Sequence, residues 1–443
     1  MKSKKLINRL SLILILISMS GFTSLGCNII GTEQYYGEIN SIKSSDNEIT
    51  IATPENKTYS APMSGYYPAT YGFENDMIGS VPQGWFEDSL GTGVVEVIQQ
   101  EDQHKNVLHI QSGSSPNNQG NAKLTFPDLA TGTLEYWIKF DNVDPPAFYI
   151  YAAEIEDGTD AKVVVRIVSN GWKYYDGSTY QSICPAEANK WYRLRVDWNL
   201  NSDTSDIYVY YANNTLAGSV IGAMNAATGT AVNHLAITMY NSVTNTNIWV
   251  DAVGVSWDPD YSLGDNIQEG LMLGFMNSTA LDWMGFSLDG LANKTILGNT
   301  TITMLADGPY NIQVFGNDSL GTMYQSELRH FTIDTTPPEI SIISPTVGQE
   351  FSSPPSFTLS ITEENIASTW YTLNGGSTIP FSGESGVIDS TAWNALANGN
   401  ITIRFYVQDM ADRLDFDEVE VIKESQEIPP EIPGYNLILL IGV

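Results

Sequence analysis

The chain is built from short runs in which apolar and polar residues alternate, separated by turn residues. Asn, Gly, Asp or Pro interrupts the sequence roughly every dozen residues. After the N-terminal segment, no run keeps a helical period for more than about two turns. A strand with one apolar face buries that face against a second sheet, so the pattern predicts an all-β chain of β-sandwiches. Clear examples are residues 107–110, 132–140, 162–168, 191–198 and 247–257.

Length, charge and cysteine content limit the classes of function. The chain has 443 residues, which corresponds to about three domains. It carries 20 basic and 51 acidic side chains, giving a formal charge of −31. Such a surface repels nucleic acid and anionic lipid head groups, so nucleic-acid binding is excluded. Two cysteines, Cys27 and Cys184, are too few for a disulfide framework or a thiolate metal cluster.

The N-terminal residues have the pattern of a secretory signal. Four basic residues precede an apolar stretch, residues 10–19, that is too short to span a bilayer. Ser24 and Gly26 have the spacing a signal peptidase needs, and Cys27 follows directly. Residues 1–27 are therefore predicted to be a signal peptide. They resemble a bacterial lipoprotein signal, which implies a lipidated Cys27. That family has an aliphatic residue where Ser24 stands, so an ordinary signal peptide is the alternative.

The C-terminal residues 425–443 form a Pro-rich spacer that leads into an apolar run, residues 437–443. A helix needs about 20 apolar residues to cross a bilayer, so we expect either a truncated membrane anchor or a frayed tail. The spacer and run resemble the C-terminal anchors of prokaryotic, especially archaeal, surface proteins. Both ends together predict an extracellular protein that is anchored in the membrane at the cell surface.

The later half of the chain contains an internal repeat. Residues 286–290 match 371–375 at an offset of 85, and residues 305–308 match 396–399 at an offset of 91. Each match has the form of a strand, an Asp-Gly or Asn-Gly turn, and a strand, as in a hairpin. A unit of this length suits an immunoglobulin-like sandwich. The repeat therefore predicts two Ig-like domains in tandem.

A stiff joint separates the two predicted units, which we place at residues 263–337 and 338–424. The joint contains Thr335-Thr336-Pro337-Pro338, and this feature resembles the tandem Ig-like repeats of prokaryotic surface proteins. Residues 48–54 repeat the pattern of residues 339–345. We expect them to be a relic first strand of a third such unit, within a lead segment at residues 28–66.

The region at residues 67–262 has a different set of landmarks. It opens with Phe73-Glu74 and Gly84-Trp85, carries a late strand beginning Trp191-Tyr192, and ends with a strand that holds Asp251. This order resembles the concanavalin A-like and laminin-G-like jelly rolls. The resemblance implies a two-sheet sandwich that binds carbohydrate or protein, sometimes through calcium.

The same resemblance implies a structural Ca²⁺ that joins the first strand to the last. Glu74 and Asp251 are the positions in this sequence that match the family's ligands. Calcium takes six to eight oxygen ligands, so backbone carbonyls have to supply the rest. The alternative is that both carboxylates are turn residues.

Aromatic residues are the candidate ligand-binding groups. In residues 171–180, Trp172 and Tyr174 fall on one strand face and Tyr175 on the other. In residues 132–140, Trp137 falls on the polar face, an unusual position for a ring unless something covers it. Sugars stack their apolar faces on such rings, so we predict that Trp137, Trp172, Tyr174 and Tyr175 bind a ligand. The alternative is that these rings belong to the core or lie under a neighbouring loop.

The sequence predicts no catalytic residues and no enzyme. Glucanases of the jelly-roll fold carry a Glu-x-Asp-x-x-Glu strand, and the nearest phrase here has Glu154, Glu156 and Thr159 at those positions. The departure removes a catalytic partner. We therefore expect a recognition protein that binds a glycan or a cell-surface protein, with the Ig-like units as spacer. A structural envelope component is the alternative, and a glycoside hydrolase is the second alternative.

Overall fold

The computed structural model describes residues 49–115, 118–144, 149–158, 160–240 and 244–425, without the side chains of Tyr149 and Tyr240. The predicted signal peptide and the predicted anchor from residue 426 onward lie outside the described residues. All described residues belong to one compact unit. None of the helices in this part of the chain is long and apolar enough to cross a membrane.

The described chain is almost entirely β, as the alternation predicts. Two short strands come first, β1 (Ile49–Thr53) and β2 (Thr58–Tyr59). The strands of a large sandwich follow: β3 (Trp85–Glu87), β4 (Val94–Glu101), β5 (His104–Gln111), β6 (Asn121–Leu129), β7 (Thr131–Phe140), β8 (Tyr149–Glu156), β9 (Ala161–Val168), β10 (Gly171–Tyr175), β11 (Tyr180–Pro185), β12 (Trp191–Asn199), β13 (Thr204–Tyr211), β14 (Leu216–Met224), β15 (Val232–Tyr240) and β16 (Asn247–Val255).

The strands from β3 to β16 form two seven-stranded sheets. The β7 sheet has the order β14-β13-β12-β7-β16-β5-β4, and the β8 sheet has the order β11-β10-β9-β8-β15-β6-β3. Strands distant in sequence lie side by side in both sheets, which is the layout of a jelly roll. The core lies between the sheets. As the alternation predicts, β7 points Leu134, Tyr136, Ile138 and Phe140 into it.

Two smaller sandwiches follow, and each has its own core. A 3₁₀ turn (Asp265–Ile267) leads into the first, which contains β17 (Leu271–Asn277), β18 (Trp283–Leu288), β19 (Lys294–Ile296), β20 (Thr300–Ile302), β21 (Gly308–Asn317), β22 (Met323–Gln325) and β23 (Arg329–Ile333). The second contains β24 (Glu339–Ser344), β25 (Glu350–Phe351), β26 (Ser356–Thr362), β27 (Ile366–Leu373), β28 (Ile379–Pro380), β29 (Ser385–Val387), α1 (Ser390–Asn394), β30 (Gly399–Asp409) and β31 (Leu414–Lys423). The predicted fold class, a jelly roll with two Ig-like sandwiches, is confirmed.

The first small sandwich also includes β1 and β2, from the other side of the jelly roll. Ile51 of β1 lies opposite Phe275 of β17 in an antiparallel ladder. Tyr59 of β2 lies opposite Ile333 of β23 in a parallel one. Ile51 is only 4% exposed, and it packs in the same core as Phe275. The second small sandwich repeats this arrangement, since β24 pairs antiparallel with β26 and β25 pairs parallel with β31.

The jelly roll is therefore inserted into the first small sandwich, between β2 and β17. The similarity between residues 48–54 and 339–345 reflects equivalent first strands, and the interpretation of a relic third unit is wrong. Residues 49–59 likewise belong to the first small sandwich and not to a separate lead segment. Local sequence patterns instead favour a separate unit for β1 and β2, because strands that are consecutive in sequence usually lie next to one another in a sheet. The insertion is tolerated because loop-closure free energy grows slowly with loop length.

Candidate functional site

Trp172, one of the rings predicted to bind a ligand, lies in the jelly-roll core. It is 0% exposed, and its ring centroid lies 5.6 Å from that of Phe140 and 5.5 Å from that of Tyr192. The prediction that Trp172 binds a ligand is wrong, because alternation along β10 turns this ring inward. Tyr174 packs against the same core from a half-buried position. Its role as a ligand ring stays a prediction.

Trp137 lies on the outer face of the β7 sheet, where a loop covers it. Its indole Nε1 donates a hydrogen bond to the backbone carbonyl oxygen of Asn266 at 2.6 Å. The ring is 2% exposed, with the ring of Tyr67 at a centroid distance of 5.8 Å. A buried indole with its polar atom satisfied has no face to offer a ligand. The prediction of Trp137 as a ligand ring is wrong, and the alternative of a covering loop is correct.

Glu135 holds the loop that contains Gly264 and Asn266 against the outer face of the β7 sheet. The carboxylate is 0% exposed and accepts hydrogen bonds from Arg193 Nη1 at 2.8 Å and from the Tyr261 hydroxyl at 2.7 Å. The backbone N–H of Gly264 donates to it as well. A buried carboxylate is tolerated when a cation and several donors surround it. Glu135 therefore fixes the chain that leaves the jelly roll across the outer face of this sheet.

Asp251, one of the two predicted calcium ligands, forms a buried pair with His104. Asp251 Oδ2 lies 2.8 Å from His104 Nδ1, and Asp251 Oδ1 accepts from the backbone N–H of Ala252 at 2.7 Å. The imidazole stacks on the rings of Trp191 at 3.9 Å and Tyr67 at 4.6 Å. Burial lowers the pKa of His104 to about 3 and raises the pKa of Asp251 well above its ordinary value. The pair thus shares a proton and is neutral as a whole.

Glu74, the other predicted calcium ligand, contacts the first small sandwich. It is 9% exposed and accepts a hydrogen bond from the hydroxyl of Thr301. Burial raises the pKa of Glu74 to about 8. A calcium ion held by Asp251 does not fit this arrangement, because both oxygens of Asp251 already have neighbours and burial favours its neutral form. A Ca²⁺ site that involves Glu74 with other oxygens stays a prediction.

A group of three acidic residues lies where the two small sandwiches meet. Oxygens of Asp334, Glu363 and Asp409 lie within 4.8 Å of one another. Arg413 already contacts two of them, with Nη2 2.8 Å from Asp334 Oδ1 and Nε 3.0 Å from Asp409 Oδ2. The guanidinium therefore compensates the negative charge of this group.

A row of aromatic rings crosses the outer face of the β8 sheet. The Arg166 guanidinium lies 3.7 Å from the ring centroid of Tyr151 and 4.7 Å from that of Tyr180. Tyr180 in turn faces Tyr175 at a centroid distance of 4.9 Å. We call these four residues the aromatic row. As the alternation predicts, Tyr175 faces away from the core that holds Trp172. Cation–π contacts hold the rings in a fixed orientation.

Glu154 lies beside the aromatic row, on the same face. The ladders place it between Ala236 of β15 and Val164 of β9, which are 1% and 4% exposed and form an apolar floor. Burial, and secondarily the charge of Glu156, raises the pKa of Glu154 to about 7. Glu156 is paired with Lys123 at 3.3 Å. Rings, carboxyls and an ammonium group therefore meet on one rigid sheet face. Thr159, the third position of the glucanase-like phrase, lies outside the described residues.

Three residues of this face were missed from the sequence: Tyr151, Arg166 and Tyr180. Arg166 could have been found from the alternation within β9. Val163, Val165 and Ile167 point into the core, so Arg166 lies on the opposite, outer face of the strand. Tyr180 can be predicted once the Asp176–Thr179 turn is recognised, because the hairpin with this turn places Tyr180 opposite Tyr175.

No family model matches this sequence, and no curated protein matches it. Several solved structures are similar in part. A sialidase is 13% identical, with 45% of this chain and 19% of that chain covered and a TM-score of 0.35. A protein of unknown function from Shewanella oneidensis MR-1 is 18% identical, with 45% and 88% covered and a TM-score of 0.33. A seed lectin from Lotus tetragonolobus is 8% identical, with 44% and 97% covered and a TM-score of 0.30.

These likenesses each involve less than half of the chain, and this chain spans 19% of the length of the sialidase. What the fold and the site define is a class: a multidomain β-sandwich protein whose jelly roll carries an ordered aromatic and charged face on its β8 sheet.

Proposed function

We propose that this chain is a carbohydrate-recognition protein that binds a glycan on the outer face of the β8 sheet. The observation that carries the proposal is the aromatic row, in which Arg166 lies between Tyr151 and Tyr180 and Tyr175 extends the line of rings. Tyr175 and Tyr180 are half-buried, and such rings offer flat apolar surface to the C–H faces of a sugar at low cost in conformational entropy. Tyr151 and Arg166 are each 8% exposed, so they hold these rings in place and do not themselves form the contact surface.

The polar groups of the same face suit the hydroxyls of a sugar. Glu154 is a hydrogen-bond acceptor when ionised and a donor when protonated, and its raised pKa makes both forms available near neutral pH. Lys123 of β6 is a donor on the same face of the sheet. All of these groups lie on strands and not on mobile loops, so little ordering is required on binding. Ala236 and Val164 keep the floor beneath the sugar apolar.

The location of this activity is part of the proposal. The signal-like N-terminus, the Pro-rich C-terminal spacer and the charge of −31 support an exported protein held at the cell surface through a terminal membrane anchor. In that setting the two small sandwiches act as a spacer that presents the jelly roll, and a surface glycoprotein is a natural source of the glycan. The first candidate is recognition of the glycan without catalysis.

A glycan array tests the proposal with the full chain. We expect saturable binding to a restricted set of glycans, which a structural envelope component would not show. Arg166→Ala should remove that binding, because the rings on either side lose the cation between them. Arg404→Ala, an exposed arginine of the second small sandwich, is the control. Absence of glycan binding by the folded wild-type chain contradicts the proposal.

Glycan hydrolysis is a second candidate, favoured by one observation. Glu154 is a half-buried carboxyl with a pKa of about 7, typical of a general acid in glycoside hydrolysis, and Glu156 is close to it on the same strand. A reducing-sugar assay on the glycans that bind separates the candidates. Release of sugar that disappears in Glu154→Gln supports hydrolysis, and binding without release supports recognition.

A further inference from the structure

A cleft of about 570 Å³ lies between the jelly roll and the first small sandwich. One wall is the segment that enters the jelly roll, including Tyr71 and Phe73, and another is the segment that leaves it, including Trp257. The third wall is the first small sandwich, with Phe286 and Leu291. Clefts of this volume with apolar walls at a domain junction are the usual setting of small-molecule sites.

The insertion makes the walls of this cleft rigid. The chain crosses between the two sandwiches twice, and hydrogen bonds join the crossings to the opposite wall. Asp260 Oδ2 accepts from the backbone N–H of Thr295 at 2.9 Å, and Asn75 Nδ2 donates to the carbonyl oxygen of Leu297 at 3.2 Å. A preformed cleft binds a ligand without first paying for closure.

The charges of the cleft are one-sided. Its lining holds five acidic side chains and a single basic one, Lys294. Among the described residues, none of the five makes an ion pair. Glu74 is the most buried of them at 9% exposure, and its partner is the neutral hydroxyl of Thr301. A lining in which acidic side chains outnumber basic ones favours a positively charged ligand over an anionic one.

We propose that this cleft binds a small organic cation, in which an apolar, preferably aromatic body carries an ammonium or guanidinium group. The apolar body packs between Tyr71, Trp257 and Leu291, where cation–π and ring contacts with the two half-buried rings are available. The cationic group lies against Glu74. The site is separate from the face of the β8 sheet and does not depend on glycan binding.

The test compares three molecules that share one ring: tryptamine, which is cationic, indole-3-ethanol, which is neutral, and indole-3-acetate, which is anionic. Isothermal calorimetry on the full chain is expected to show tryptamine binding at least about tenfold more tightly than the neutral analogue, with no binding of the anion. Glu74→Gln keeps an acceptor for Thr301 and is expected to remove that preference. Glu87→Gln, an exposed acid outside the cleft, should change nothing.

A second variant keeps the test independent of the folding of Glu74→Gln. Leu291 is 69% exposed at the lip of the cleft, so Leu291→Arg leaves the core intact and adds a competing cation. It is expected to lower tryptamine affinity about tenfold. The proposal is overturned if the three molecules bind alike, if none binds, or if CaCl₂ titrated alone binds in a Glu74-dependent way while tryptamine does not.

Discussion

Ile51 and Phe275 lie opposite each other in one antiparallel ladder, although the whole jelly roll separates them in sequence. Their strands, β1 and β17, share a core that also contains Tyr59 and Ile333. The first small sandwich is therefore assembled from two distant parts of the chain. The jelly roll is held at both of its ends, which fixes its orientation more firmly than a single linker would.

Ile51→Ala tests this assembly. Ile51 is 4% exposed, and truncation of such a side chain costs about 2–5 kcal/mol. The loss should appear as faster amide hydrogen exchange in β17 (Leu271–Asn277), measured by mass spectrometry. Thr50→Ala, an exposed neighbour on the same strand, should leave exchange unchanged. If Ile51→Ala leaves β17 as protected as in the wild type, β1 does not belong to this sandwich.

Arg413→Ala should destabilise the junction of the two small sandwiches. It leaves Asp409 and Asp334, which are 0% and 4% exposed, without their cation, and such a loss costs about 3–5 kcal/mol. Arg404→Ala removes an exposed pair with Glu418 and should cost about 0–1 kcal/mol. Urea unfolding measures both. Equal effects of the two substitutions would show that the junction does not depend on Arg413.

Trp137→Phe should lower stability without touching ligand binding. The substitution removes the hydrogen bond to Asn266 and leaves a buried carbonyl oxygen unsatisfied, which costs about 1–3 kcal/mol. Thermal unfolding should show the loss, while binding of any glycan found on the array stays at the wild-type level. A loss of glycan binding with unchanged stability would restore Trp137 as a ligand ring and contradict the role of the covering loop.

The pH dependence of stability should carry a contribution from Glu74. Burial raises the pKa of Glu74 from the ordinary 4.5 to about 8, so the folded state retains a proton that the unfolded state has released. The stability that this group contributes is therefore fully present below about pH 4.5 and is lost as pH rises through 8, by roughly 5 kcal/mol in all. In Glu74→Gln this fall is absent. Urea titrations at pH 5 and pH 8 measure the difference, and parallel pH profiles for both proteins contradict the burial of Glu74.

The alternation of apolar residues was enough to predict the sandwiches. Leu134, Tyr136, Ile138 and Phe140 point into the core as predicted, because a period of two is a local property of a strand. The inward orientation of Trp172 could be predicted for the same reason, because alternation places it on the face of β10 that points into the core. Its burial depends on the partner sheet, which no local pattern shows.

The cover over Trp137 and the origin of β1 were beyond local sequence patterns. Asn266 reaches Trp137 across 129 positions of sequence, and nothing near either residue indicates the contact. Likewise, β1 pairs with β17, which follows the whole jelly roll in sequence. The aromatic row lies between these cases, since alternation selects Tyr175 and Arg166 for one face, while the contact between Tyr180 and Arg166 requires the fold.

The binding role of the aromatic row is tested most directly by calorimetry with the best glycan from the array. Tyr175→Ala and Tyr180→Ala should each weaken binding about tenfold or more, as for a ring at the centre of a binding site. The matched control is Tyr208→Ala, a half-buried tyrosine beside Arg195 on the outer face of the β7 sheet, which should bind as the wild type does. Unchanged affinity in both row variants, or an equal loss in Tyr208→Ala, would contradict the account.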